Sequence, residues 1–440
     1  MAVRAVVALL FTKLSDSPMP LALELAAARI AVLPLEKIVE RLNDRFRLLK
    51  GGSNTAVPPR QQTLHATISW SFELLSEAAR TLFARLSMFG GGFDLEAAEA
   101  VAAGDGLVSE DVLDLLSGLV DKSLVVVESG GERYRLLETI REYAQQCLQA
   151  AGGQAAVRER HFNWYLRLVE RVEPSLLGGP QQQPALDLLE ADHDNLRSAL
   201  AWSLEAPERG DLALRICGSL YRFWSRRGHW REGYTWCMKA LAKTPPSGAK
   251  AARAKVLLSA GSLGNNVPEA ETRLLLEDAL ALSREAGDRA TEAVVLNNLA
   301  RVLDWHQEFP RARSLLERAR TINRELGNKT PELHNMSNLV NVLREQHEFA
   351  AALALAEEGL ESSRSLTDRW LEAIFLYLLG RVAIDRGDVG AARKFNDHAL
   401  AIFRELAMVR RRPKQDRGSD RRHAFATQRF PVHHSLRPSS

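Results

Sequence analysis

The sequence predicts a mainly α protein: a winged-helix domain followed by an α-helical solenoid of stacked hairpins. Three observations predict it. From about position 256, apolar and small residues return every 40 positions. Within each return they fall at helical spacing in two blocks parted by a polar turn such as "HQEF", "QHEF" or "RGDV". Between 60 and 150 the period changes from helical to short β-rich runs and back. At 440 residues, 46% of them hydrophobic and 26% charged, the chain is long enough for two or more domains with cores of their own.

In chain order, "SEAARTLFARLSMF" opens on Ser76 and places Leu82, Phe83, Leu86 and Phe89 at helical spacing. Ser76 is a good N-cap, but the N3 place is Ala79, so the acidic half of a capping box is missing. A short helix starts at Leu95, and "SEDVLDLLSGLVDKS" predicts a third that buries Val112, Leu113, Leu116, Leu119 and Val120. "SLVVVESGGERYRLL" holds two β-rich runs around Gly130 and Gly131, a hairpin signal. "ETIREYAQQCL" resumes a helix with Ile140, Tyr143, Ala144, Cys147 and Leu148 on one face. Three helices, a hairpin and a closing helix make a winged helix at 60–150. The outer face of its third helix carries Glu110, Asp111, Asp114 and Asp121 against Lys122. Such a face repels a polyanion, because non-specific DNA affinity is largely phosphate neutralisation. The expectation is a winged helix that faces protein.

Residues 151–210 read as a helical bridge and 211–408 as the repeats. Leu299, Leu339 and Leu379 keep the 40-residue register, with Val302, Val342 and Val382 beside them. The same register holds Ala312, Ala352 and Ala392, then Leu315, Leu355 and Phe395, then Ala319, Gly359 and Ala399. Leu275 and Ala279 form a weaker copy, and "SLYRFWSRRGHWREGYTWCMKAL" a slipped one with Gly228 where Gly387 stands later. These are about five helical hairpins, none of which can bury its apolar face alone, so stability must come from stacking. The first helix of each pair should line a concave face. Its polar residues are Asn298, Arg301, Asn338, Asn341 and Arg381, types suited to an extended peptide backbone and its carboxylates. Ordinary solvated positions are the other reading, because Leu378 breaks the row. Arg284-Glu285, Arg324-Glu325 and Arg404-Glu405 each close a unit.

The repeats resemble the tetratricopeptide family, with Leu299, Ala300, Leu303, Ala312, Leu316 and Ala319 at its consensus spacings. Common units of that family have 34 residues, so the extra length implies longer helices or longer connections. A second resemblance rests on longer stretches. "PLALELAAARIAVLPLEKIVERLNDRFRLLKGG", "RQQTLHATISWSFELLSEAARTLFARLSMFGGGFDLEAAEAV", "VLDLLSGLVDKSLVVV", "YRLLETIREYA" and "LLEADHDNLRSALAW" follow in the order found after the nucleotide-binding core of bacterial STAND regulators, the signal-transduction ATPases with numerous domains. The resemblance implies that 1–59 is the remnant of a helical lid, that the winged helix closes over a nucleotide-binding core, and that the repeats sense a signal. It implies a non-catalytic protein-interaction and signal-sensing module of a transcriptional or signalling regulator. No G-x-x-x-x-G-K-[ST] occurs, no hydrophobic strand ending in paired acids precedes Pro20, and Pro18 stands where the family usually has Gly. The nucleotide core is therefore expected to be missing, ATP hydrolysis with it, and the chain to be a truncated family member.

Positions 409–440 hold nine Arg and Lys against Asp416 and Asp420, so the net charge of +3 leaves the rest of the chain at −4. This basic, aperiodic tail reads as disorder. Two readings stand for it: a nucleic-acid-binding tail, which with the winged helix makes the chain a DNA-binding transcriptional regulator instead, and a frame-shifted end. The longest early apolar run, Ala5 to Phe11, is far short of the roughly 20 residues a bilayer requires, so no membrane partner is expected and the chain reads as cytoplasmic. Cys147, Cys217 and Cys237 show no C-x-x-C spacing and predict neither a disulfide framework nor a zinc site. "EADHDN" gathers Glu190, Asp192, His193 and Asp194, but residues at i, i+2 and i+3 of one helix do not all converge on an ion. His161, His229, His347 and His398 pair with no nucleophile, and Trp164, Trp202, Trp224, Trp230 and Trp236 read as packing. No catalytic residue, cofactor or metal is expected; the expected partner is a protein or peptide in the repeat groove.

Overall fold

The computed structural model describes residues 67–410 apart from 129, 180, 246–247 and 265–266, so the expectations for the lid remnant 1–59 and for the tail beyond 410 lie outside the described residues. The described chain divides into two units, one of 67–168 with 190–202, the other of 169–189 with 203–410.

In the first unit, α1 (Glu77–Leu86) starts where Ser76 Oγ accepts the Ala79 N–H at 3.2 Å, and α2 (Leu95–Ala102) where Asp94 caps Ala97 at 2.8 Å. Next come α3 (Val112–Asp121), the antiparallel pair β1 (Val126–Val127) and β2 (Tyr134–Arg135), and α4 (Glu138–Ala150). Gly130 and Gly131, at φ of 116° and 81°, form the turn of the hairpin. Phe93 exchanges two backbone hydrogen bonds with Tyr134, at 2.8 and 2.7 Å, and so extends the short ladder by one bridge. The layout is the predicted winged helix, with two local differences. Helix α1 stops at Leu86, so Phe89 lies in the turn beyond it, yet it is buried and stacks on Phe93 at 4.5 Å. Leu113, expected in the core, is 46% exposed: the buried stripe of α3 is the narrower row Val112, Leu116 and Leu119. Helix α5 (Gln154–Val172) follows, then α6 (Gln182–Ala191), most of which belongs to the second unit, and α7 (His193–Ser203), which returns to the first.

The second unit holds α8 (Gly210–Ser219), α9 (Tyr221–Arg227), α10 (Trp230–Lys243), α11 (Lys250–Leu263), α12 (Glu269–Glu285), α13 (Arg289–Trp305), α14 (Phe309–Glu325), α15 (Lys329–Glu345), α16 (Phe349–Ser365), α17 (Arg369–Asp385) and α18 (Val389–Arg410). In the slipped copy the first helix is broken at Leu220 into α8 and α9, and Gly228 ends it at φ 83°. From α12 to α17 every helix has 17 residues and every connection three, so the excess over the common unit lies in the helices. The middle residue of each connection is left-handed: Gly287, Gln307, Gly327, His347, Thr367 and Gly387. The next N–H reaches back to the helix, as Asp288 does to Ser283 and Glu308 to Leu303 at 2.9 Å, which is a Schellman closure.

Leu299, Leu339 and Leu379 are buried, as are Ala312, Ala352 and Ala392 and the row Ala319, Gly359 and Ala399. Val302, Leu315 and Phe395 are half-buried. Gly359 is needed where Ala serves elsewhere because a Cβ there would collide with the fully buried Phe375 ring. The Arg-Glu doublets pair in two directions. Arg284 reaches forward to Glu292 at 2.9 Å and Arg324 to Glu332 at 3.0 Å, a step that Arg364 and Glu372 repeat at 3.0 Å. Glu285, Glu325 and Glu405 reach back to Lys250, Arg289 and Arg369 on the first helix of their own hairpins, at 3.2, 2.6 and 2.9 Å.

Candidate functional site

Within the second unit, α9, α13, α15 and α17 line a groove of about 870 Å³. All five residues predicted for the concave face border it: Asn298, Arg301, Asn338, Asn341 and Arg381. They share it because the 40-residue period is two helices long, so residues 40 apart take the same place on successive first helices. Leu378, which interrupts the polar row, is buried in the wall.

The amides are held in place. Asn297 Oδ1 accepts from Asn335 at 3.0 Å and from Asn338 at 2.8 Å, and Asn335 in turn accepts from Asn323 at 2.7 Å. Asn298 donates to Ser262 Oγ at 3.2 Å and accepts from Arg301 at 3.5 Å. Asn341 donates to the Ser337 carbonyl at 3.3 Å, while its buried Oδ1 has no hydrogen-bond partner among the described residues. Asn298 is only 7% exposed and Asn338 and Asn341 are half-buried, so the three amides are not free solvated side chains. Rotamers already fixed by hydrogen bonds lose little entropy on binding.

Charge is distributed unevenly. Arg381 lies 4.0 Å from Glu345, and Asp304 sits in the fields of Arg381, Arg301 and Arg344. Burial, then Glu345, pushes the Asp304 carboxyl above its usual value against those cations. Near α9 the lining is aromatic and cationic, with Tyr221, Arg222, Arg226, His334, Trp370 and Tyr377. Burial, then Arg222 and Arg226, pushes His334 down to about 3, so it is neutral at neutral pH. These residues were missed from the sequence. The 40-residue register held part of the signal: Val294, His334 and Ile374 form one groove-lining column, and Asn297, Ser337 and Tyr377 another. Arg222 and Arg226 lie in the slipped copy, outside any such column.

The "EADHDN" cluster has a structural use in the first unit. Asp192 accepts from Arg133 at 2.9 Å, Asn195 at 3.0 Å and Tyr165 at 3.2 Å, all among buried surroundings. Burial pushes its carboxyl up against the opposing pull of Arg133. Asn195 also accepts the Gly90 N–H and donates to the Gly92 carbonyl, both at 2.8 Å. A side chain on Gly90 would press on Ser198 and the Asp194 backbone, which accounts for glycine in the "GGG" turn. Glu110, Asp111, Asp114 and Asp121 are all exposed around α3.

Comparison with known proteins agrees with this anatomy. Residues 75–149 match the winged helix-turn-helix domain family, and 293–331 and 336–367 match the tetratricopeptide repeat family. A Mycobacterium tuberculosis protein named as an HTH-type transcriptional regulator, Rv0890c, is 42% identical over 281 residues, which cover 62% of this chain and 31% of that protein. The regulatory protein AfsR of Streptomyces coelicolor is 28% identical over 305 residues, 64% of this chain and 29% of AfsR. The chain thus spans about a third of the length of these curated relatives. Among solved structures, a signal transduction ATPase with numerous domains and a tetratricopeptide repeat sensor, from Pyrococcus horikoshii, aligns with a TM-score of 0.51 at 14% identity, over 88% of this chain and 60% of that one. At that identity the likeness is one of fold. Among the described residues no helix is long and apolar enough to cross a membrane.

Proposed function

We propose that this chain is the interaction and signal-sensing part of a STAND-type transcriptional or signalling regulator, acting without catalysis, and that its repeat groove binds an extended segment of a protein partner. The observation that carries the reading is the groove itself. Five polar side chains picked from the register alone meet on one concave face, where hydrogen bonds hold the amides ready for a peptide backbone. In this reading 60–150 is the winged-helix domain, 151–210 the bridge and 211–408 the sensing solenoid. The names of the relatives and the fold of the Pyrococcus protein support a regulator.

The test is selection of 12-residue peptides from a display library on the full chain, followed by calorimetry. Selected peptides should bind in the micromolar range, and Arg301→Glu with Arg381→Glu should weaken them by about tenfold, or about 1.4 kcal/mol. Peptides that bind the double variant as tightly as the parent would end the groove reading.

The winged helix-turn-helix match supports a second reading, a DNA-binding regulator that uses the winged helix or the basic tail. The exposed acids around α3 oppose it for the winged helix. Duplex affinity of the chain without 409–440, measured against salt, decides between them: a steep salt slope in that shortened chain favours DNA.

A further inference from the structure

The groove near α9 differs from the amide row. Arg222 and Arg226 are one helical turn apart and both line the groove. The Arg226 guanidinium carbon lies 5.0 Å from the centre of the Trp370 ring, and His334 lies 5.6 Å from the same ring. Arg222 lies over the Tyr221 ring at 6.0 Å and, among the described residues, makes no hydrogen bond or ion pair. The carboxylate whose field reaches it, Glu173, is already held by Lys255 at 3.0 Å and by Ser219 at 2.9 Å. The groove's own carboxylates, Asp304 and Glu345, belong to the Arg301 and Arg381 side.

Burial pushes the Arg222 guanidinium down from its usual value, the mark of a cation partly stripped of water without a full counter-charge. A neutral His334 adds an N–H donor but no charge. Flanking rings lower the local dielectric, so an anion entering here feels the two guanidiniums more strongly than it would at an open surface.

We propose that Arg222, Arg226 and His334, walled by Trp370, form a subsite for an oxyanion: a carboxylate or phosphate group on the ligand that the groove holds. This deepens the reading of the groove as a binding surface and rests on it.

The experiment is calorimetric titration of the full chain with inorganic phosphate and, separately, with succinate, on the parent, Arg222→Gln and Arg226→Gln. At least one anion should bind saturably, weaken as chloride rises, and lose about tenfold or more in affinity in each variant. Phosphate alone binding assigns a phosphorylated ligand, and succinate alone a carboxylate ligand. Should Arg222→Gln lose its helical signal, Arg226→Gln carries the test. Absence of saturable binding by either anion, or affinities unchanged in the folded variants, overturns the subsite. Where succinate binds, selected peptides that bind the parent and both variants equally would also overturn it, while leaving the groove reading intact.

Discussion

In the first unit one buried carboxylate, Asp192, accepts three hydrogen bonds from three side chains distant in sequence or on neighbouring turns, Arg133, Tyr165 and Asn195. In the second unit Glu292, Glu332 and Glu372 make the same bond, to Arg284, Arg324 and Arg364, in successive hairpins. The first arrangement ties together elements far apart in the chain, so its loss touches every element it joins. The second is repeated, and each copy serves one junction between neighbours. Stability in the first unit is therefore cooperative around a point, and in the second it is close to a sum over interfaces.

Substitutions can break or sharpen that contrast. Asp192→Ala leaves Arg133 and Tyr165 without their buried acceptor and should cost about 4 kcal/mol, read as loss of amide protection throughout α1 to α4 with the repeats unchanged. Protection lost in the repeats instead would contradict the division. Leu339→Ala, at a layer shared by hairpins, should cost about 3 kcal/mol, with faster exchange centred on α13 to α16. A uniform rise across both units would speak against a sum of interfaces.

The third lever is acid. His161 is 3% exposed, and burial pushes it from 6.5 down to about 4. A lowered folded value favours the neutral ring, so its contribution is complete above the unfolded value and is lost as pH falls from 6.5 towards about 4. The loss should approach about 3 kcal/mol at the low end of that window. His161→Gln should flatten that acid limb in urea titrations of the first unit; a limb of unchanged slope rules His161 out as its source. The smallest effect belongs to the repeated pair. Arg324 is more than half exposed, so Arg324→Ala should cost less than about 1 kcal/mol, a cost that vanishes in strong salt. A salt-independent loss of several times that size would make the repeated pairs as critical as Asp192.

Much of the second unit was legible because its signal is written several times. A leucine that recurs at 299, 339 and 379 reports one environment three times, and the groove residues inherit that register. The acidic surroundings of α3 and the turn at Gly130 and Gly131 were equally plain, since both depend on local chemistry. Leu113 misled because amphipathic spacing marks an apolar stripe without its width, and that width depends on what packs against α3. Asp192 passed as a link in a bridge because its partners lie up to 59 positions away. Arg222 and Arg226 escaped because the broken first helix of the slipped copy takes them out of register with later units.

Helix type, repeat period and the polar character of the concave face follow from the order of residues alone, for each is set by neighbours within one or two turns or by repetition at a constant interval. Folding in three dimensions was needed to bring α9 against α13, α15 and α17, to pair Asp192 with Arg133, and to leave Arg222 without a carboxylate partner among the described residues. Those outcomes depend on packing between residues far apart in the chain, where burial and the sum of all nearby charges, and no local pattern, decide which groups are satisfied.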